Sequence, residues 1–331
     1  MGVAGHGGAF ELLGGTVDLI DCDLSSNQAS SEGGAIWVDS DVSELAVIDS
    51  TFTNNTSPSG GAIGVQSPFF STTQIVIQGS TFNANSADYG GALSTSGTRV
   101  EIRDSQFTDN TGSVSGGALD LDGLPYLRLR RNVFCGNDGG FFGGAVATRV
   151  YEALNQTYSH VIHHNTFQHN EATSGGGLFA VTETYWPLDR YQIAIASNTF
   201  VANTADNGSH VYAHDEVEPL ARNNILALGE GAGPGWEQTG NGTYGDQNYN
   251  LWYSNAGGNS VGAPGGANDV FGNPLFVSYS NDGVCNDNFG LALGSPAVDA
   301  GDPGSPPFLP GWPPYNDGDG SRADIGMTGA R

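Results

Sequence analysis

Four arginines and two histidines stand at matching offsets from a recurring phenylalanine. Four residues before successive phenylalanines come Gln78, Arg103, Arg130, His163 and Ala196. Three before come Gly79, Asp104, Arg131, His164 and Ser197, and six before come Val76, Glu101, Arg128, Val161 and Ala194. Guanidinium forks hold carboxylates or sulfates in two-point contact, and a histidine, Glu101 or Asp104 in their midst can serve as acid or base. Arg103, Arg128, Arg130, Arg131, His163 and His164 are therefore the leading candidates for an anion-binding surface or a carbohydrate-active site. The plainer and preferred reading is a solvated strand face on which opposite charges pair between neighbouring strands.

Two further groups could carry chemistry. Tyr185 and Trp186, with Phe69, Phe70, Tyr151, Tyr158 and Tyr191, fall in the longer segments between elements. Flat rings there either stack on sugar faces or pin the segments to the body. Asp317, Asp319 and Asp324 alternate with glycine in the run Asn316 to Asp324. Such oxygen donors suit Ca2+, although the glutamate that closes an EF-hand loop is missing; the alternative, which is preferred, is a turn locked by hydrogen bonds. The acidic pairs Asp21/Asp23, Asp39/Asp41 and Asp120/Asp122 show no register with a base, so no catalytic residue is assigned.

Composition narrows the partners. The 331 residues include 35 acidic and 10 basic ones, for a net charge of −25, and every basic residue is arginine. That charge repels nucleic acid and anionic membranes, and the lack of lysine removes Schiff-base chemistry. No apolar run reaches the roughly 18–20 residues of a membrane-spanning helix. The opening MGVAGHGGAF has neither the basic start nor the apolar core of a secretory leader and begins inside a repeat, so a truncated N-terminus is expected. Cys22, Cys135 and Cys285 are an odd set without metal-ligand spacing. A Cys135–Cys285 bridge is one reading; three buried or free thiols is the preferred one.

What must position these residues is a repeat. Gly-Gly-small-aliphatic strings occur at Gly33, Gly60, Gly90, Gly116, Gly143 and Gly175, opened by Gly7 and closed by the altered Gly208-Ser209-His210-Val211. Between them an aromatic is followed three residues later by asparagine: Phe52/Asn55, Phe82/Asn85, Phe107/Asn110, Phe134/Asn137, Phe167/Asn170 and Phe200/Asn203, with Leu24/Asn27 as first copy. Short two-residue alternations such as Leu45/Val47 and Val100/Ile102 read as strands, and no segment carries a helical period. A unit this small cannot bury its apolar face alone, so copies must stack, strand on equivalent strand. Phenylalanines then form an inward column, asparagines a hydrogen-bonded ladder, and the glycine pair a corner needing positive φ or close backbone approach. The expected fold is all-β: a right-handed parallel β-helix of about eight regular coils over residues 1–228. Residues 229–331 would form irregular coils and a cap of the same domain.

The alternating GGAI and FxxN strings resemble those of chlamydial polymorphic outer-membrane proteins and related bacterial β-helix surface proteins, over residues 7 to about 228. The segment Ser295-Pro296-Ala297-Val298-Asp299-Ala300-Gly301 with Asp324-Ile325-Gly326 is similar to the closing segment of many secreted pectin-lyase-like proteins. The leading reading is a secreted or cell-surface binding or adhesion module whose partner is a polysaccharide or host/cell-surface glycan, with Ca2+ at the Asn316 to Asp324 run as the one cofactor the sequence offers. The alternatives are a polysaccharide lyase or glycoside hydrolase on the same scaffold, and a structural spacer.

Overall fold

The computed structural model describes residues 4–68, 71–151, 159–183, 191–240, 246–263, 265–303 and 323–326. These residues are all-β, and the chain winds as a parallel β-helix whose three long sheets hold ten, nine and ten strands. Each turn contributes one strand to each sheet. The glycine sheet runs from Phe10–Leu12 to Ser260–Val261, the arginine sheet from Gly15–Ile20 to Gln247–Asn248, and the phenylalanine sheet from Asp23–Ser25 to Val270–Phe271. Every pairing within them is parallel, and the register places Phe52, Phe82, Phe107, Phe134, Phe167 and Phe200 one above the next.

The six rings are fully buried and stacked, with centroids 4.6–5.0 Å apart and planes within 13° of parallel. That spacing is the rise of one coil, so ring stacking and backbone pairing satisfy each other. Each corner is a column of left-handed residues. Gly60 has φ +64°, and a Cβ on Gly61 would lie 2.2 Å from the Gly91 carbonyl oxygen, so the pair cannot be replaced without moving the next coil.

The asparagine ladder behaves as its spacing predicts. Each side chain from Asn27 to Asn170 donates through Nδ2 to the Oδ1 of the next rung at 2.8–3.0 Å, and that oxygen also accepts the backbone N–H of the same donor residue. A second ladder lies two residues before the aromatics. Ser50, Ser80 and Ser105 lead into Asn132, Asn165, Asn198, Asn224 and Asn250, and Asp269 closes it by accepting the Asn250 N–H.

The first ladder meets Gly229 where an asparagine is due. His210, in the altered glycine string, crosses the gap: Asn203 Nδ2 donates to its Nδ1 at 3.1 Å, and its Nε2 donates to Asn255 Oδ1 at 3.0 Å. The regular string should be restorable. His210→Ala alone removes one hydrogen bond from each asparagine, leaving Asn203 its bond to the Phe167 carbonyl and Asn255 Oδ1 the Gly229 N–H, and Gly229→Asn alone drives its Cβ to 2.3 Å from Ser209 Oγ. The combination Ser209→Gly, His210→Ala, Gly229→Asn is expected to recover at least about 1 kcal/mol over the summed single losses. Strictly additive losses in chemical denaturation would contradict the bridging role.

One feature differs from the sequence expectation. Cys135 and Cys285 form a disulfide across 150 residues, leaving Cys22 as the free thiol, so the reading of three unpaired cysteines is corrected. Spacing along the chain carries no information about a contact made when a tail folds back. That tail also runs along the side of the helix. Phe289, in the antiparallel pair Phe276–Ser278 and Asn288–Leu291, packs on Val201 and Ala202 of the phenylalanine sheet.

Candidate functional site

Strands Arg99–Arg103, Tyr126–Arg130 and Ser159–His163 are consecutive in the arginine sheet, and their register is the one the phenylalanine offsets predict. Glu101 pairs with Arg128 and then Val161; Arg103 pairs with Arg130 and then His163. Alternation turns Val100, Ile102, Leu127, Leu129 and Ile162 into the core, so the intervening residues face outward. Asp104, Arg131 and His164 occupy the following corner with φ of +56°, +54° and +55°.

The arginines divide by what they touch. Arg131 grips Asp104 of the preceding coil through Nε and Nη2, at 2.6 and 2.7 Å, and this contact holds the Asp104 carboxyl below its usual range. Arg99 stacks its guanidinium 4.6 Å from the Tyr126 ring centroid, with Arg128 at 5.9 Å. Arg103, Arg128 and Arg130 make no ion pair among the described residues, and the Nε atoms of Arg103 and Arg128 are shielded from solvent without a hydrogen-bond partner. Desolvation, followed by neighbouring Arg131, lowers the pKa of Arg130.

His163 and His164 meet Nδ1 to Nδ1 at 3.0 Å, which requires one donor and one acceptor. Burial, reinforced by the neighbouring cations, pushes His163 down to about 2 and His164 down to about 4. Both rings are therefore neutral at ordinary pH, and the positive charge of this face is arginine charge alone. His160, on the inner side of the same strand, and the ladder's His210 are likewise buried and lowered to about 4 by desolvation.

A histidine kept neutral by the fold contributes stability that is complete above its unfolded pKa near 6.5 and is lost as pH falls toward the folded value. Each of these groups is expected to steepen the loss by about 1.4 kcal/mol per pH unit between pH 6.5 and 4. Denaturant unfolding at pH 7.5, 6 and 5 measures this; a stability that is level or rising toward pH 5 would contradict buried neutral rings.

The remaining sequence candidates are placed less tightly. Tyr185, Trp186, Asp317 and Asp319 lie outside the described residues. Asp324 is 8% exposed and accepts the Asp299 N–H at 2.9 Å, while Gly301 donates to the Ala323 carbonyl and Gly326 to that of Asn223. Among the described residues no cluster of metal-ligating side chains occurs.

The sequence shows the pair Asp120 and Asp122 but not their partner. Arg149, opposite Asp122 on the next strand of the glycine sheet, donates to Asp120 at 2.9 Å and Asp122 at 3.0 Å on the outer face of that sheet, and Ser115 donates to Asp120 at 2.6 Å. Burial, with Asp122 adding to it, raises the Asp120 carboxyl to about 6 against the pull of Arg149. A groove of about 300 Å³ opens beside them between Tyr89, Gln66 and Glu32. Its lining sets Glu32, Asp120 and Asp122 against the single guanidinium of Arg149, so the groove is acidic, whereas the arginine face is positive.

Comparison with known proteins bears on the repeat. Residues 49–66 match the Chlamydia polymorphic membrane protein (Chlamydia_PMP) repeat. The segment holds one Phe52/Asn55 rung and one Gly60-Gly61-Ala62-Ile63 corner, the two elements that build each turn. No curated protein and no solved structure matches the chain. Among the described residues no helix is long and apolar enough to cross a membrane.

Proposed function

We propose that the chain is a surface-exposed β-helix binding module directed at acidic glycans, with the arginine face as its contact surface. The observation that carries this reading is a set of guanidinium groups, Arg103, Arg128 and Arg130, that make no ion pair among the described residues of a chain with net charge −25, with Arg103 and Arg130 directly opposite one another. Like charges opposite one another on neighbouring strands are destabilising. With carboxylates abundant elsewhere, an arrangement that leaves these cations unmatched is suited to an anion from outside. Two findings support the location. The matched repeat is described as that of a membrane protein, and a disulfide persists in oxidising compartments such as the cell exterior.

A glycan array probed with the intact chain and with Arg103→Ala/Arg130→Ala tests the reading. Each lost charge-assisted contact is expected to weaken binding of carboxylated or sulfated glycans about 10-fold or more, with the unfolding midpoint unchanged or raised. Because both histidines stay neutral above their unfolded pKa, binding is expected to be level from pH 6.5 to 9. Equal signals for acidic and neutral glycans, or for both proteins, would remove the proposal.

A further inference from the structure

The extent of the positive face decides what kind of anion it can take, given that it binds acidic glycans at all. Five arginines, at positions 99, 103, 128, 130 and 131, stand against Glu101 and Asp104, a local excess of three positive charges. All of them belong to two coils. On one side the register continues into Gln74, Val76 and Gln78, and one coil further into Glu44, Ala46 and Ile48. The corner column there holds Gly79 and then Asp49, whose carboxylate lies across Gly79: a Cβ on that glycine would stand 2.1 Å from Asp49 Oδ1. On the other side come Val161 and His163, then Ala194 and Ala196, all uncharged and at most 5% exposed although they alternate with the core residues.

Coils are spaced by about 4.8 Å, so the positive spot is roughly 10 Å across. Asp49 and Glu44 lie within one or two coils of its edge, inside or close to the ~8 Å screening length of physiological salt. A chain bearing a charge on every sugar would extend over these carboxylates in one direction and, in the other, past the last exposed guanidinium to strand positions that are buried. We infer that the arginine face selects a single oxyanion, the carboxylate or sulfate of one acidic sugar on an otherwise neutral glycan, and discriminates against polyanions.

Calorimetry on the full chain tests this with four probes: sialyllactose and 3′-sulfolactose as single-anion ligands, lactose as the neutral control, and a heparin octasaccharide as the polyanion. At least one single-anion probe is expected to bind 10-fold or more tighter than lactose, and tighter than the octasaccharide. The variant Glu44→Gln/Asp49→Asn, which leaves the arginines in place, is expected to raise octasaccharide affinity at least several-fold and to leave the single-anion affinity within two-fold. Octasaccharide binding 10-fold tighter than either single-anion probe would overturn the selectivity while sparing the acidic-glycan reading. An unchanged octasaccharide affinity in the variant, with its folding confirmed by an unaltered melting curve, would likewise overturn it. Binding by none of the charged probes would overturn both.

Discussion

Asn137→Ala is expected to destabilise the chain by about 4 kcal/mol, far more than the loss of a polar side chain ordinarily costs. Asn137 is 1% exposed and sits in the middle of the first ladder. Its Oδ1 accepts both the side-chain and the backbone N–H of Asn110 at 3.0 Å, and its Nδ2 donates to Asn170 at 2.8 Å and to the Phe107 carbonyl at 3.0 Å. Truncation strands two buried donors on Asn110, each costing about 1–3 kcal/mol, and leaves a cavity that the stacked coils cannot close without breaking their register. Asn27→Ala, at the half-buried first rung, strands no donor on an earlier rung and should cost only about 1 kcal/mol. Thr108→Ala, on the outer side of the same sheet, should stay below about 1 kcal/mol. Denaturant midpoints and hydrogen exchange at the Asn110 amide measure the gradient. Equal losses at Asn27 and Asn137 would show that the ladder does not act through burial.

Loss of the disulfide is the second large effect. Cys285→Ser, Cys135→Ser or chemical reduction is expected to cost up to about 5 kcal/mol, the chain-entropy value for a 150-residue loop. The reason lies in the column Thr108, Cys135, Gln168, Val201 and Ala227, whose members follow one another in the phenylalanine sheet. From Cys135 onward they are buried, whereas Thr108 is partly open. Phe289 covers part of this stretch, and the bond ties the covering segment at its far end. Reduction should therefore expose residues around 276–291 to protease before the coils melt, and thiol titration of the denatured chain should rise from one group to three. A melting curve indifferent to reductant would contradict the strap.

Much of this could be read from residue types at fixed offsets. The phenylalanine and asparagine rungs, the glycine corners and the pairing of Arg103 with Arg130 follow from one rule, that equivalent residues of successive turns lie over one another. The second ladder obeys the same rule but is not legible in the sequence, because its rungs change from serine to asparagine at Asn132 and no single residue type announces it. The His210 bridge was legible only as an irregular glycine string. Its meaning depends on Gly229 in the next turn, which looks like ordinary loop glycine until the two side-chain spaces are seen to be one.

Local sequence determined the architecture, since stacking, alternation and corner conformation are short-range properties repeated many times, and each copy reinforces the register of the rest. Only the tertiary structure decided which charges find partners. Arg131 meets Asp104 and Arg149 meets Asp120, while Arg103, Arg128 and Arg130 make no ion pair among the described residues. It likewise decided that Cys285 returns to Cys135 and that His163 and His164 stay neutral. Those outcomes depend on a few ångströms of side-chain reach and on burial by remote segments, and neither quantity is carried by the order of residues along the chain.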